Sequence, residues 1–216
     1  MAQVPTGSTF AVATTIAAPK GTTIVSNATE ALVTCVAHGY SAGDMVIIIS
    51  GWGRLNKRTA RVKAPLTADT FTLEGINTVN TNYYPVGTGV GTVAKITAFT
   101  QITTIMNPST SGGEPKVVAY KFIDSDVEYS INDGFTAVSY KLEMDADSIS
   151  TAGYTALKDL TEVQTDTVLK ITTRNGSPNY VPCTVALNEN VQMTEGQINR
   201  VTVSFNGNNR STRYAS

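Results

Sequence analysis

Hydrophobic and polar positions alternate most regularly between Gly134 and Asn206. In Ala137–Met144, Val138, Tyr140, Leu142 and Met144 alternate with Ala137, Ser139, Lys141 and Glu143, the period of a strand with one dry face and one wet face. Thr167–Thr173, Tyr180–Leu187 and Ile198–Asn206 repeat the pattern. Their inner sets include Val181, Cys183, Val185 and Leu187, then Val201, Val203 and Phe205. Pro182 falls on the other face, which predicts an edge position or a strand start. Between the first run and the rest, Tyr154, Leu157 and Leu160 recur at helical spacing behind Ser150 or Thr151, either of which can cap. A helix is therefore predicted to about Val163.

Upstream the runs are shorter. Ala31–Ala37, Met45–Ser50, Arg58–Lys63, Thr70–Leu73 and Thr92–Thr97 read as strands, separated by glycine-bearing turns such as His38–Asp44, Gly51–Gly53 and Gly87–Gly91. Short strands at this spacing predict a small barrel over residues 24–95. Residues 1–23 read as an arm with one short strand, Thr9–Thr15, broken by Ala17–Gly21. Residues 96–216 read as the main domain. There Ile96–Ile105 and Val117–Ile123 are strands, Asn107–Pro115 is a polar, breaker-rich loop, and Asp124–Asp133 is acidic and turn-rich. The fold class is mainly β, formally α+β: a β-sandwich or barrel core with one helix, preceded by a small β-barrel module.

Composition adds two points. Charged residues are only 15% of the 216 residues, against roughly 25% in an average soluble domain. Thr, Ser, Asn and Gly take up the difference, which suits β-structure and a surface covered by copies of the same chain. The net charge of −1 excludes a generic nucleic-acid binder but hides a segregation: residues 1–95 carry +3, 96–166 carry −7 and 167–216 carry +3. That pattern is either a solvated face or a self-complementary one for head-to-tail assembly. Cys35 and Cys183 lie far apart in strand-like runs and read as buried free thiols. No positive segment precedes an apolar run at the start, and no stretch approaches the roughly 20 apolar residues of a membrane helix, so a soluble product of a cytoplasm is expected.

Candidate chemistry is sparse. His38 is the single histidine and sits in a turn, without the companions that a metal site or a triad needs. Gly87–Gly91 and Ser111-Gly112-Gly113 lack the spacing of nucleotide loops and read as turns. Asp124, Asp126 and Glu128 alternate like the start of a calcium loop, but Tyr129 stands where that loop needs glycine. The same carboxylates could form a catalytic pair, or line a surface that repels phosphates. Arg54, Lys57, Arg58, Arg61 and Lys63 form the densest basic stretch, beside Trp52. They could bind nucleic acid or a glycan, serve as a solvated strand face, or meet a neighbouring subunit. No catalytic motif, metal site or cofactor site is predicted, and the chain is not expected to be an enzyme.

Ala-His-Gly-Tyr-Ser-Ala-Gly-Asp-Met-Val at 37–46, Ser-Gly-Trp-Gly-Arg-Leu-Asn at 50–56 and Ala-Asp-Thr-Phe-Thr-Leu-Glu-Gly at 68–75 resemble a small barrel module common in phage virion proteins. The alternating stretch Val138–Glu143, followed by the helix at Tyr154–Leu160 and closing strands that end in Phe205-Asn206-Gly207, resembles the major tail tube proteins of long-tailed phages with flexible, non-contractile tails. The resemblance implies a structural virion protein of the tail, assembled in the host cytoplasm. Six copies would form a ring, and rings would stack into the conduit for DNA ejection. Its partners would be itself, the tape measure, terminator and tip proteins, and double-stranded DNA in transient passage, with no membrane. Asn107, Ser109, Gly112 and Glu114 would reach the next ring, and Ile96–Ile105 and Val117–Ile123 would be barrel strands. Asp124, Asp126 and Glu128 would face the lumen. Arg54, Lys57, Arg58 and Arg61 would form a subunit contact or a basic surface. The module would decorate the outside. The alternative is a glycan- or receptor-binding module of a tail tip or fibre, using Trp52, Tyr83 and Tyr84.

Overall fold

The alternating half folds as its pattern requires. In the computed structural model, which describes residues 6–215, β12 (Ser139–Asp145), β13 (Thr167–Thr172), β14 (Pro178–Gln192) and β15 (Arg200–Gly207) are antiparallel strands of one curled sheet. Leu142 and Met144, then Val181, Cys183 and Val185, then Val201, Val203 and Phe205 point into a shared core. The helix α1 (Ala152–Val163) covers that core with Tyr154 and Leu157. Thr151 caps it: its hydroxyl accepts from Tyr154 N at 3.3 Å. Gly153 near its start is needed because a Cβ there would stand 2.6 Å from Gln101 O. Each such buried side chain contributes about 1.5–3 kcal/mol. Pro182 lies inside β14, but its backbone faces Asn208, just past the end of β15, so its missing N–H removes no ladder bond.

Residues read as an arm are partly interior. The first five lie outside the described residues, but β1 (Thr9–Ile16) runs between β13 and β8 (Gly91–Ile102), with Val12 fully buried. A free arm would leave Val12 and Ala13 in water, and sheet pairing removes that cost. The two strands expected at Thr92–Thr97 and Ile96–Ile105 are one. β8 contributes Val93 to the upstream core, Ile96 to a junction and Ile102 to the main core.

The upstream half holds β2 (Lys20–Thr22), β3 (Ile24–Val25), β4 (Leu32–Thr34), β5 (Met45–Ser50), β6 (Arg58–Leu66) and β7 (Thr70–Leu73) around Val33, Trp52, Leu55, Phe71 and Leu73. β4 is shorter and β6 longer than the expected strands. Met45–Ile48 of β5 are apolar in succession because both faces are covered there: Val46 and Ile48 enter the upstream core, while Met45 and Ile47 enter the junction with Ala13, Val168, Tyr180 and Tyr214. The sheet thus runs β3-β4-β7-β6-β5-β8-β1-β13-β14-β15-β12-β9, ending on β9 (Ile105–Ser111). A short strand, β16 (Thr212–Arg213), pairs with β14. The fold is mainly β, with one α-helix among the described residues.

A candidate assembly surface: the exposed hairpin and the cleft at its root

The edge ladder of β9 and β12 does not stop where the sheet stops. Beyond Ser111 and Ser139 it continues through Gly113 N to Thr136 O (3.2 Å) and Thr136 N to Glu114 O (2.9 Å). It then becomes a separate two-stranded hairpin, β10 (Pro115–Lys121) with β11 (Glu128–Phe135). The joint is glycine-built. Gly112, Gly113 and Gly134 all have positive φ, and a Cβ at Gly112 would collide with the carbonyl oxygen of Ala137.

The hairpin has two unlike faces. Val118 pairs with Ile131 and Tyr120 with Tyr129, so these four share one face. Phe122 joins them, with ring centres 5.5 Å from Tyr120 and 5.9 Å from Tyr129. The other face carries Val117, Ala119, Lys121, Glu128, Ser130 and Asn132. Every residue of β10 is exposed, as are Glu128–Asp133. An apolar face of five large side chains therefore stands in solvent. An isolated two-stranded ribbon is marginal in water, and a continuous exposed apolar patch marks a contact surface.

At the tip, Ser125 Oγ accepts from Val127 N at 3.1 Å and shapes the turn that presents Ile123, Asp124 and Asp126. At the root, the Arg210 guanidinium lies over the Phe135 ring, 4.1 Å from its centre. A cleft of about 750 Å³ opens there between the hairpin, the loop at Gly53-Arg54 and the segment 207–211. Arg54 lies over Tyr83 at 3.4 Å from its ring centre. Asn209 Nδ2 donates to Asn56 O at 2.6 Å, and Asn208 Nδ2 to Asp166 Oδ1 at 2.6 Å, so the same segment ties the upstream module to the main core.

The structure disperses the other predicted sites. Asn107 and Ser109 are not in a loop. They lie in β9, where Asn107 (φ 46) forms a bulge and its side-chain amide donates to Glu143 Oε2 at 3.0 Å. Bonds from Asn107 and Arg200 hold the Glu143 carboxyl below its ordinary range. The actual break in Asn107–Pro115 is Gly112–Glu114. The expected acidic turn at 124–133 is largely strand, so Glu128 sits on the polar hairpin face while Asp124 and Asp126 sit at the tip.

The basic stretch is mostly committed within the chain. Lys57 pairs with Asp166 (2.9 Å) and Lys63 with Glu30 (2.9 Å). Arg61 grips Glu74 bidentately, with one arm at 2.8 Å, and lies over Tyr214. Arg58 is partly buried and its Nε has no acceptor. Trp52 and Tyr84 are not a glycan platform: both are buried, ring against ring, and the Trp52 indole N–H donates to Pro85 O at 2.8 Å. Only Tyr83 is exposed, and Arg54 covers it. His38 is buried, with Nδ1 accepting from Tyr40 N and Nε2 against Thr67 O. Cys35 and Cys183 are buried and unpaired. Among the described residues no group of three or more His, Cys, Asp or Glu side chains is placed to hold a metal ion. No helix there is long and apolar enough to cross a membrane.

Sequence reasoning missed Phe135, Asn208, Asn209 and Arg210, which long-range folding alone brings together. It also missed the hairpin as a unit, though apolar positions at 118, 120 and 122, then 129 and 131, around a turn were a usable signal. A family model described as phage tail tube protein matches residues 50–216, well over half the chain. No curated protein gives a match.

Proposed function

This chain belongs to the phage tail tube protein family, and from that premise we propose that its subunits close into rings of six that stack into the tube through which DNA leaves the virion. The coarser statement, a structural component of the phage tail, follows from family membership itself. The observation that carries the finer one is the hairpin Pro115–Phe135, whose apolar face stands exposed among the described residues. A neighbouring copy would cover Val118, Tyr120, Phe122, Tyr129 and Ile131. The polar face, with Glu128, Ser130 and Asn132, would turn to the lumen, where carboxylates and amides keep a passing duplex from adhering. The open edge of β9, with Asn107 and Ser109, would meet an adjacent subunit, since a closed ring leaves no strand edge free. The upstream module (24–95), whose core gathers Trp52, Leu55, Phe71 and Leu73, would sit on the outer wall, apart from the tube core (96–216). The tape measure, terminator and tip proteins would be its tail partners, the tail would be non-contractile, and assembly would take place in the host cytoplasm.

Sedimentation and negative-stain microscopy of the purified protein test this. Six-fold rings or stacked tubes are expected. A strictly monomeric species at high concentration overturns the reading.

A further inference from the structure

We infer that the cleft at the hairpin root is the receptor for the hairpin tip of a second copy, residues Phe122–Val127; the choice of occupant rests on the tube reading above. The argument is charge and shape together. The cleft presents two guanidinium groups, Arg54 and Arg210, each lying over an aromatic ring, and neither belongs to any of the six ion pairs among the described residues. Asp133 also lines the cleft, so its two arginines leave it one positive charge in excess. The tip has the opposite character: Asp124 and Asp126 belong to no ion pair there either, and between them and the strands stand Phe122, Ile123 and Val127, all exposed.

Guanidinium groups placed over rings still have N–H donors to offer a carboxylate, which arginine binds bidentately. A tip of apolar side chains around two acids suits a cleft of about 750 Å³ lined by Phe135, Val138, Arg54 and Arg210. Reach agrees. Seven residues of β10 at about 3.4 Å each carry the tip about 24 Å from its own root, clear of its own cleft. Tip and cleft are different surfaces, so the contact is heterologous and repeats from copy to copy around a ring. It also gives the charge segregation a use, with the acidic middle of one chain meeting basic flanks of the next. Asp124 and Asp126 then leave the lumen wall, and Glu128 stays on it.

A charge swap tests it, with folding checked by circular dichroism and the thermal midpoint. Reversal of the cleft (Arg54→Glu with Arg210→Glu) and reversal of the tip (Asp124→Lys with Asp126→Lys) should each lower the yield of assembled particles about tenfold. The chain carrying both reversals should recover to within about twofold of wild type. A second arm uses Ile123→Cys with Gly53→Cys under mild oxidation, both sites being exposed. A ladder of disulfide-linked multimers is expected. Assembly indifferent to both reversals, or a disulfide closed within single chains, overturns the proposal and leaves the tube reading standing. Absence of particles from the wild-type protein would instead remove the tube reading.

Discussion

In the upstream module, Trp52 is 1% exposed, stacks edge-on against Tyr84 and spends its indole N–H on Pro85 O. In the β10–β11 hairpin, Tyr120, Phe122 and Tyr129 form an aromatic cluster of similar size, yet Phe122 is 56% exposed and Tyr129 43%. The residue types are alike and the settings opposite. The upstream strands gather Trp52 with Val33, Leu55, Phe71 and Leu73 in one core. Gly51, Gly89 and Gly91 let the backbone approach Thr88 O, the Trp52 ring and Ile49 O, where any side chain would collide. The hairpin uses its glycines the other way, to leave the sheet. Gly112, Gly113 and Gly134 turn the ladder out into solvent before its apolar face begins. One region buries its large aromatic rings within the chain, and in the proposed tube the other would complete its burial against a neighbour.

Mutations that treat the two regions alike should therefore give unlike results. Trp52→Ala should cost about 3–5 kcal/mol of stability through the cavity it leaves, read as a large fall in the denaturation midpoint. Tyr129→Ala should change stability by under about 0.5 kcal/mol, as exposed positions do, while cutting particle yield about tenfold. Equal destabilisation by the two would erase the distinction between closed and open regions.

Gly89→Ala sharpens the closed side. Its Cβ would stand 2.7 Å from the Trp52 ring, and such overpacking should cost about 1–3 kcal/mol. Gly53→Ala, in the neighbouring loop with open space around it, should be close to silent.

A smaller effect concerns pH. Its bond to Arg61 holds the Glu74 carboxyl below its ordinary range. A folded pKa below the unfolded one stabilises above the unfolded value and loses that contribution as pH falls through the folded value. The wild type should thus lose stability on acidification from about pH 4.3 downward. Glu74→Gln should show a shallower loss in the same window.

The smallest expected effect is none. Burial pushes the Cys183 thiol up to about 12, so iodoacetamide at pH 8 should leave it unmodified until the chain unfolds. Prompt labelling of the native protein would mean that the main core is open.

The parts legible in the sequence are those whose partners are near or whose pattern is amphipathic. The capped helix to Val163, the strands at 45–50 and 70–73, and the inner faces of β12, β14 and β15 are all carried by local periodicity. Illegibility has two causes here. An edge strand exposed on its outer side, such as Asn107–Ser111, shows no alternation and is rich in residues that usually break structure, so it reads as a loop. Pairing at a distance leaves no local trace either. Nothing near Lys57 announces Asp166, nothing near Phe135 announces Arg210, and nothing in Thr9–Thr15 tells an arm from the strand between β8 and β13. Only the dense basic stretch hinted at contacts, and most of its partners lie inside the same chain.

Hydrogen exchange of residues 115–135, measured in free subunits and in assembled particles, addresses the proposed burial most directly. In free subunits these amides should exchange fast, since the ribbon opens without disturbing either core. In assembled particles they should slow by about a hundredfold or more, while the amides of β5 and β7 change little. Equal exchange of the hairpin in both states, with particles present, would contradict the account.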